Sequence, residues 1–162
     1  MALKIVHGDI FDPKLNEVSR VIVHGCNAQG VMGSGIAKTI RDMYPEVYED
    51  YKEYEEVRGL YVGDIVQTLV HPKLRVASII SQEFYGRDSS VVYVNYWAIK
   101  DALSILVRHF KTKNEIQGTN IEIHLPFIGG GFANGDRTVL MKIFEEVFKD
   151  SDATLFVLEN PQ

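Results

Sequence analysis

Apolar and polar positions follow two rhythms along this chain. Short apolar runs that end at a glycine, "LKIVHG" from Leu3 and "RVIVHG" from Arg20 to Gly25, predict two strands. Helical spacing then takes over. Ile36 to Met43 predicts a helix that breaks at Tyr44-Pro45, because proline disfavours helical backbone at the residue before it. A second helical piece runs from Glu46 toward Glu56 with its acids on a solvated face. "GDIVQTLV" and "LRVASIIS" predict neighbouring strands joined by a turn at His71-Pro72. Asn95 is placed to cap a helix from about Tyr96 to Phe110, with Ala98, Leu103, Ile105 and Leu106 on its apolar side. The strand "NIEIHLPF", the loop "IGGGFANGD", a helix from Thr138 to Lys149 and a closing strand "ATLFVLE" complete the order.

Strands and helices that alternate in this way predict an α/β fold, with a mixed sheet covered on both faces by helices. No repeat or linker interrupts the pattern, so residues 1–162 read as a single domain. A chain that is 46% hydrophobic and 24% charged falls outside the disordered and fibrous classes. No apolar run approaches the roughly 18 residues of a membrane span, and "MALKIVHGDIF" turns polar too soon for a signal peptide. The expectation is a cytoplasmic protein with no membrane partner.

Charge narrows the ligand. With 17 Lys and Arg against 22 Asp and Glu, the net charge of −5 disfavours non-specific nucleic-acid binding, which depends on neutralising phosphates. An anionic ligand must then be held mainly by backbone amides. Cys26 is the one cysteine and reads as a small buried filler. His7, His24, His71, His109 and His124 show no paired ligand spacing, so no metal is expected.

Two glycine-rich stretches carry the candidate chemistry. Loop one, "GCNAQGVMGSG", and loop two, "IGGGFANGD", each follow a strand and precede a helix. Glycine lets a ligand approach the backbone, and the next helix offers unpaired N–H groups and a partial positive charge. In an α/β sheet, ligands bind beyond the carboxyl ends of the strands, so both loops belong at one edge, where they can wrap a diphosphate. Each alone also reads as a tight turn packed on a helix. "GVMGSGIAK" lacks the ending of a P-loop, and no GxGxxG follows the first strand. Asp9, in "HGDIF", belongs at the same edge, either accepting from an exocyclic amine or capping its own turn.

These stretches resemble the macrodomains, an ADP-ribose-binding family. "GDIFD" is similar to the family's first-strand motif, "GCNAQGVMGSGIA" to its ribose and phosphate loop, and "PFIGGGFANGD" to its phosphate-wrapping loop. "SQEFYGRD" with "VNYWAIKDAL" resembles the branch that processes ADP-ribose 1''-phosphate. The resemblance runs from Lys4 to about Leu158 and implies a three-layer α/β/α sandwich around a central mixed sheet. It implies that Asp9 and Ile10 meet adenine and that Asn27 reaches the distal ribose. It places Gly33, Ser34, Gly35 and Ile36 on one side of the phosphates, and Gly129, Gly130, Gly131, Phe132, Ala133, Asn134 and Gly135 on the other. Phe132 would pack on the distal ribose. Gln82 joins the ligand set; with Glu83 it stands where a nearby branch, which removes ADP-ribose from protein carboxylates, has a lysine.

The implied activity is phosphate release from ADP-ribose 1''-phosphate with no metal and no cofactor. A non-catalytic module that recognises ADP-ribose or ADP-ribosylated protein, and a hydrolase that frees ADP-ribose from macromolecules, remain as alternatives. For the phosphatase, an activated water is needed together with donors to the phosphoryl oxygens. Asp136 is the candidate for the first task, although an Asp before "RTVLMKIF" is also a good helix cap. His24 titrates near neutrality when free but also reads as a buried strand residue. Asn27 can orient a hydroxyl or a water, Asp88 is a reserve acid, and Ser34 lacks the partners of a nucleophile.

Overall fold

A computed structural model describes residues 3–157 of the chain; Leu158 and Glu159, expected to extend the last strand, lie outside them. The described residues form β1 (Leu3–His7), β2 (Arg20–Asn27), α1 (Gly35–Met43), α2 (Pro45–Arg58), β3 (Ile65–His71), β4 (Leu74–Gln82), α3 (Tyr96–Gln117), β5 (Glu122–Pro126), α4 (Arg137–Val147) and β6 (Ala153–Val157). The six strands form one sheet in the order β1-β6-β5-β2-β4-β3. β3 runs antiparallel to β4 through the turn at His71-Pro72, and the other pairings are parallel. The expected mixed sheet is therefore present, with helices on both faces.

Strand β2 shows why its sequence is an unbroken apolar run rather than an alternating one: it is buried on both sides. Val21 and Val23 face a core built from α3 and α4, with Leu103, Leu106, Phe110, Leu140 and Phe144. Ile22 and Cys26 face the opposite core, where Ile40 of α1 and Val47 and Tyr51 of α2 pack. β2 also runs past the expected Gly25 to Asn27, because β4 continues beside it as far as Gln82.

Helix α3 departs most from the sequence expectation. It continues past Phe110 to Gln117 and stops at Gly118 in the left-handed conformation, φ 65°. The added turns, "KTKNEIQ", are mostly helix formers, largely exposed, and need no apolar stripe. Asn114 secures that end: it accepts from the Ile121 amide at 2.9 Å and donates to the Ile121 carbonyl at 3.2 Å, which aims the chain into β5. At the other end the Asn95 side chain accepts from the Ala98 amide at 3.0 Å, as its capping role predicts.

Candidate functional site

The site begins where β2 leaves β5. The two strands pair through Ile22 and His124, whereas β2 stays with β4 to the end. From this point loop one departs toward α1 on one face and loop two toward α4 on the other. A sheet whose connections diverge in this way opens a crevice beyond the carboxyl ends of its strands. Gly25 sits at the waist. A Cβ there would lie 2.5 Å from Ser81 Oγ and 3.0 Å from Ile128 Cγ2, so only glycine lets the start of loop two close against β2.

Loop one is shaped from within by Asn27. Its Oδ1 accepts from the amides of Gln29 at 3.0 Å and Val31 at 3.3 Å, and its Nδ2 donates to the Val31 carbonyl at 2.8 Å. The Tyr51 hydroxyl, on α2, donates to the Asn27 carbonyl at 2.5 Å. Burial pushes that phenol well above its usual range, so it stays a neutral donor. The Ala28 amide reaches the Gln82 carbonyl at 2.9 Å and ties the loop to β4. The loop ends at Ser34, whose side chain makes no capping bond, followed by Gly35 at φ +60°. The first-turn amides of α1 consequently keep their donors, as helix starts do. A Cβ on Gly35 would meet nothing within 4 Å, so this stretch of backbone faces open space.

Loop two is held by the segment between β4 and α3. The amides of Tyr93 and Val94 donate to the Ala133 carbonyl at 2.9 and 3.4 Å. Asn134, at φ 59°, donates through Nδ2 to the carbonyls of Asp88 at 2.9 Å and Val91 at 2.7 Å. The Gly135 amide returns to the Gly129 carbonyl at 2.7 Å and closes the loop on itself. Among the described residues, the amides of Gly131, Phe132 and Ala133 make no hydrogen bond. Phe132 is 43% exposed at the tip, and the Arg87 guanidinium lies 4.4 Å from its ring centroid.

Asp9 follows β1 on the same rim, across β6 and β5 from β2. Three strand spacings put it about 14 Å from the crevice, within reach of an extended dinucleotide-sized ligand. Its Oδ1 accepts from the Phe11 amide at 2.8 Å, so Asp9 forms the local turn as well. Ile10 is buried against the α1–α2 core, and its carbonyl accepts from the buried Arg20 guanidinium at 2.7 Å. Gln82 is half-buried, with Nε2 donating to the Phe84 carbonyl at 2.7 Å.

The candidate catalytic groups separate. His24 is 1% exposed inside the α1–α2 face, with Nε2 2.7 Å from Ser78 Oγ. Burial pushes its pKa down to about 3, so it stays neutral and cannot exchange a proton with a ligand outside. This corrects the expectation that His24 acts in the reaction: the structure assigns it to the core. Burial likewise raises the Cys26 thiol to about 12, in keeping with a filler. Asn27 borders the crevice, but its side chain is committed to the loop. Asp136 caps α4, with Oδ1 accepting from Thr138 and Val139 at 2.8 and 3.2 Å; Oδ2 takes no bond among the described residues. Asp88 accepts from the Ser90 hydroxyl and amide, which hold its carboxyl below the ordinary value. Among the described residues no three His, Cys, Asp or Glu side chains gather as a metal site would require.

Three contributors carry no sequence signal: Arg87 on Phe132, Tyr51 on Asn27, and Tyr96, whose hydroxyl accepts the Asp136 amide at 2.8 Å. Each pairs residues at least 24 positions apart. Tyr93 and Tyr96 pack against the core, whereas Trp97 is 73% exposed.

No family model matches the chain. The ADP-ribose 1''-phosphate phosphatase of Candida albicans is 23% identical over 160 residues, covering 98% of this chain and 94% of that one. Among solved structures, a protein of unknown function from Bacteroides thetaiotaomicron is 25% identical with a TM-score of 0.82, covering 98% and 99% of the two chains. A macrodomain protein from Streptomyces coelicolor is 23% identical with a TM-score of 0.73, over 95% and 97%. The Thermosipho africanus DarTG, solved in complex with ADP-ribose, is 14% identical with a TM-score of 0.76, over 100% of this chain and 43% of that one. From its sheet order, its diverging loops and these neighbours, the chain has the macrodomain fold.

Proposed function

We propose that this protein binds ADP-ribose in the crevice between the two glycine loops and hydrolyses ADP-ribose 1''-phosphate to ADP-ribose and phosphate. One observation carries the reading: parallel strands β2 and β5 part so that the amide-rich ends of loops one and two share one rim with Asp9. In this reading the diphosphate lies between Gly33–Ile36 and Gly129–Gly135. Adenine extends toward Asp9 and Ile10, and the distal ribose sits by Asn27 and Phe132. The names of the Candida albicans relative and of the DarTG complex support substrate and ligand respectively.

Hydrolysis adds water to phosphorus and breaks the bond from phosphorus to the C1'' oxygen, which leaves with a proton as the free hydroxyl. The amides of Gly131, Phe132 and Ala133 are unpaired and suited to the phosphoryl oxygens, whose charge peaks in the transition state. Asp136 offers the free Oδ2 as the group that takes a proton from the attacking water, while Oδ1 keeps the carboxylate anchored.

A second reading, a module that only recognises ADP-ribose or ADP-ribosylated protein, is favoured by the burial of His24 and the engagement of Asn27, which leave few groups for proton transfer. Release of ADP-ribose from macromolecules has less support, because Gln82 and Glu83 lack a lysine's amine. The test combines calorimetric titration with ADP-ribose and phosphate release from ADP-ribose 1''-phosphate. Binding with release supports the phosphatase, binding without release leaves the recognition module, and no binding rejects both.

A further inference from the structure

We propose that Arg87 sets the specificity of the crevice: its guanidinium, stacked on Phe132, recognises the terminal phosphomonoester that distinguishes ADP-ribose 1''-phosphate from ADP-ribose. This rests on the placement of the ligand proposed above. Net charge favours such a group. A chain at −5 that holds a diphosphate through neutral amides meets further repulsion when the ligand carries a third phosphate, and a local cation offsets it.

The lysines and the buried arginine near the rim are committed. Lys38 pairs with Asp42 at 2.6 Å and Lys52 with Glu55 at 2.7 Å. Arg41 and Arg137 stack on Tyr48 and Phe127 and, like Arg87, make no ion pair among the described residues, but neither of those rings stands at the tip of a glycine loop. Arg20 is buried under the Ile10 carbonyl. Arg87 is exposed, makes no ion pair among the described residues, and lies over the one aromatic ring at the tip of loop two.

The stack and its anchors prearrange the donor. A guanidinium lying on a phenyl face keeps its edge N–H groups directed outward in a planar fork, which matches phosphate oxygens. Asn134 ties the carbonyls of Asp88 and Val91 to loop two, so the backbone next to Arg87 moves with the loop that carries the free amides of Gly131, Phe132 and Ala133. Gly86, before Arg87, lies against the Tyr93 ring where any Cβ would collide, so the chain entering Arg87 packs closely on that ring. Amides and guanidinium together form a donor set for one phosphomonoester.

The readout is the ratio of the dissociation constant for ADP-ribose to that for ADP-ribose 1''-phosphate in wild type, Arg87→Gln and Arg87→Lys. Where the ester turns over, KM and the product inhibition constant replace the two. Arg87→Gln should lower the ratio about tenfold or more, as loss of a charge-assisted hydrogen bond predicts, and Arg87→Lys should lose less. Equal weakening of both ligands, which leaves the ratio intact, would assign Arg87 to loop support and overturn the proposal. If wild type binds neither ligand, the proposed function fails and this inference with it; if wild type binds ADP-ribose and the ratio ignores Arg87, only this inference fails.

Discussion

The hydroxyl of Tyr51 donates to the backbone carbonyl of Asn27 at 2.5 Å and also lies 3.2 Å from its Oδ1. Helix α2 thereby holds the residue from which loop one unfolds toward the crevice. Tyr51 is fully buried, so the carbonyl has no water to replace the lost donor.

Tyr51→Phe should therefore cost about 1–3 kcal/mol, the penalty for a buried acceptor left unpaired. Urea denaturation measures the loss. Calorimetry on the same variant should show weaker ADP-ribose binding, because Asn27 organises the turn through Gln29 and Val31. Unchanged affinity at reduced stability would separate α2 from the site.

Gly35 combines a left-handed backbone with open space at the mouth of loop one. Gly35→Ala should lose about 1 kcal/mol of stability from its φ. Its methyl would project where the proposed diphosphate lies, and ADP-ribose affinity should fall more than tenfold in calorimetry. A stability loss with full affinity would move the phosphates elsewhere.

Asp136 has two tasks that substitution can divide. Asparagine caps helices about as well as aspartate but carries no negative charge. Asp136→Asn should keep the melting temperature and lose phosphate release, whereas Asp136→Ala should lose release and about 1 kcal/mol of stability. Comparable release by wild type and Asp136→Asn would remove the carboxylate from the reaction.

Acid should weaken the fold through its buried imidazoles. The His24 pKa is pushed down to about 3 by burial, and His124 is lowered too, chiefly by burial despite Glu122 at 3.0 Å. Below a pH of about 6.5 the unfolded chain takes up protons that the folded chain refuses. The stability contributed by the neutral rings is therefore complete above that pH and is lost as pH falls toward the folded values. The expected slope approaches about 1.4 kcal/mol per pH unit for each fully linked group. Denaturation between pH 7 and 5.5 measures it, and His24→Asn should flatten the slope; an unaltered slope would show that His24 titrates alike in both states.

The order of strands and helices was legible from residues alone, since each element announces itself by local means: apolar runs in β2 and β4, the Asn95 cap, the break at Tyr44-Pro45. The resemblance to macrodomains and the two glycine loops also stood in the sequence, because a loop that must let a ligand reach its backbone spends several adjacent positions on glycine. Even the dual reading of Asp136 was visible, cap and candidate acid alike. Tertiary structure alone decided which of the site's polar groups are free. Burial, a property of the packed layers and not of local order, placed His24 in the core. Contacts between distant segments engaged Asn27 with Tyr51 and set Arg87 on Phe132, pairs separated by 24 and 45 positions that no local pattern can couple. The physical reason is range: propensity and periodicity act over a few residues, whereas desolvation and pairing depend on what the fold brings alongside.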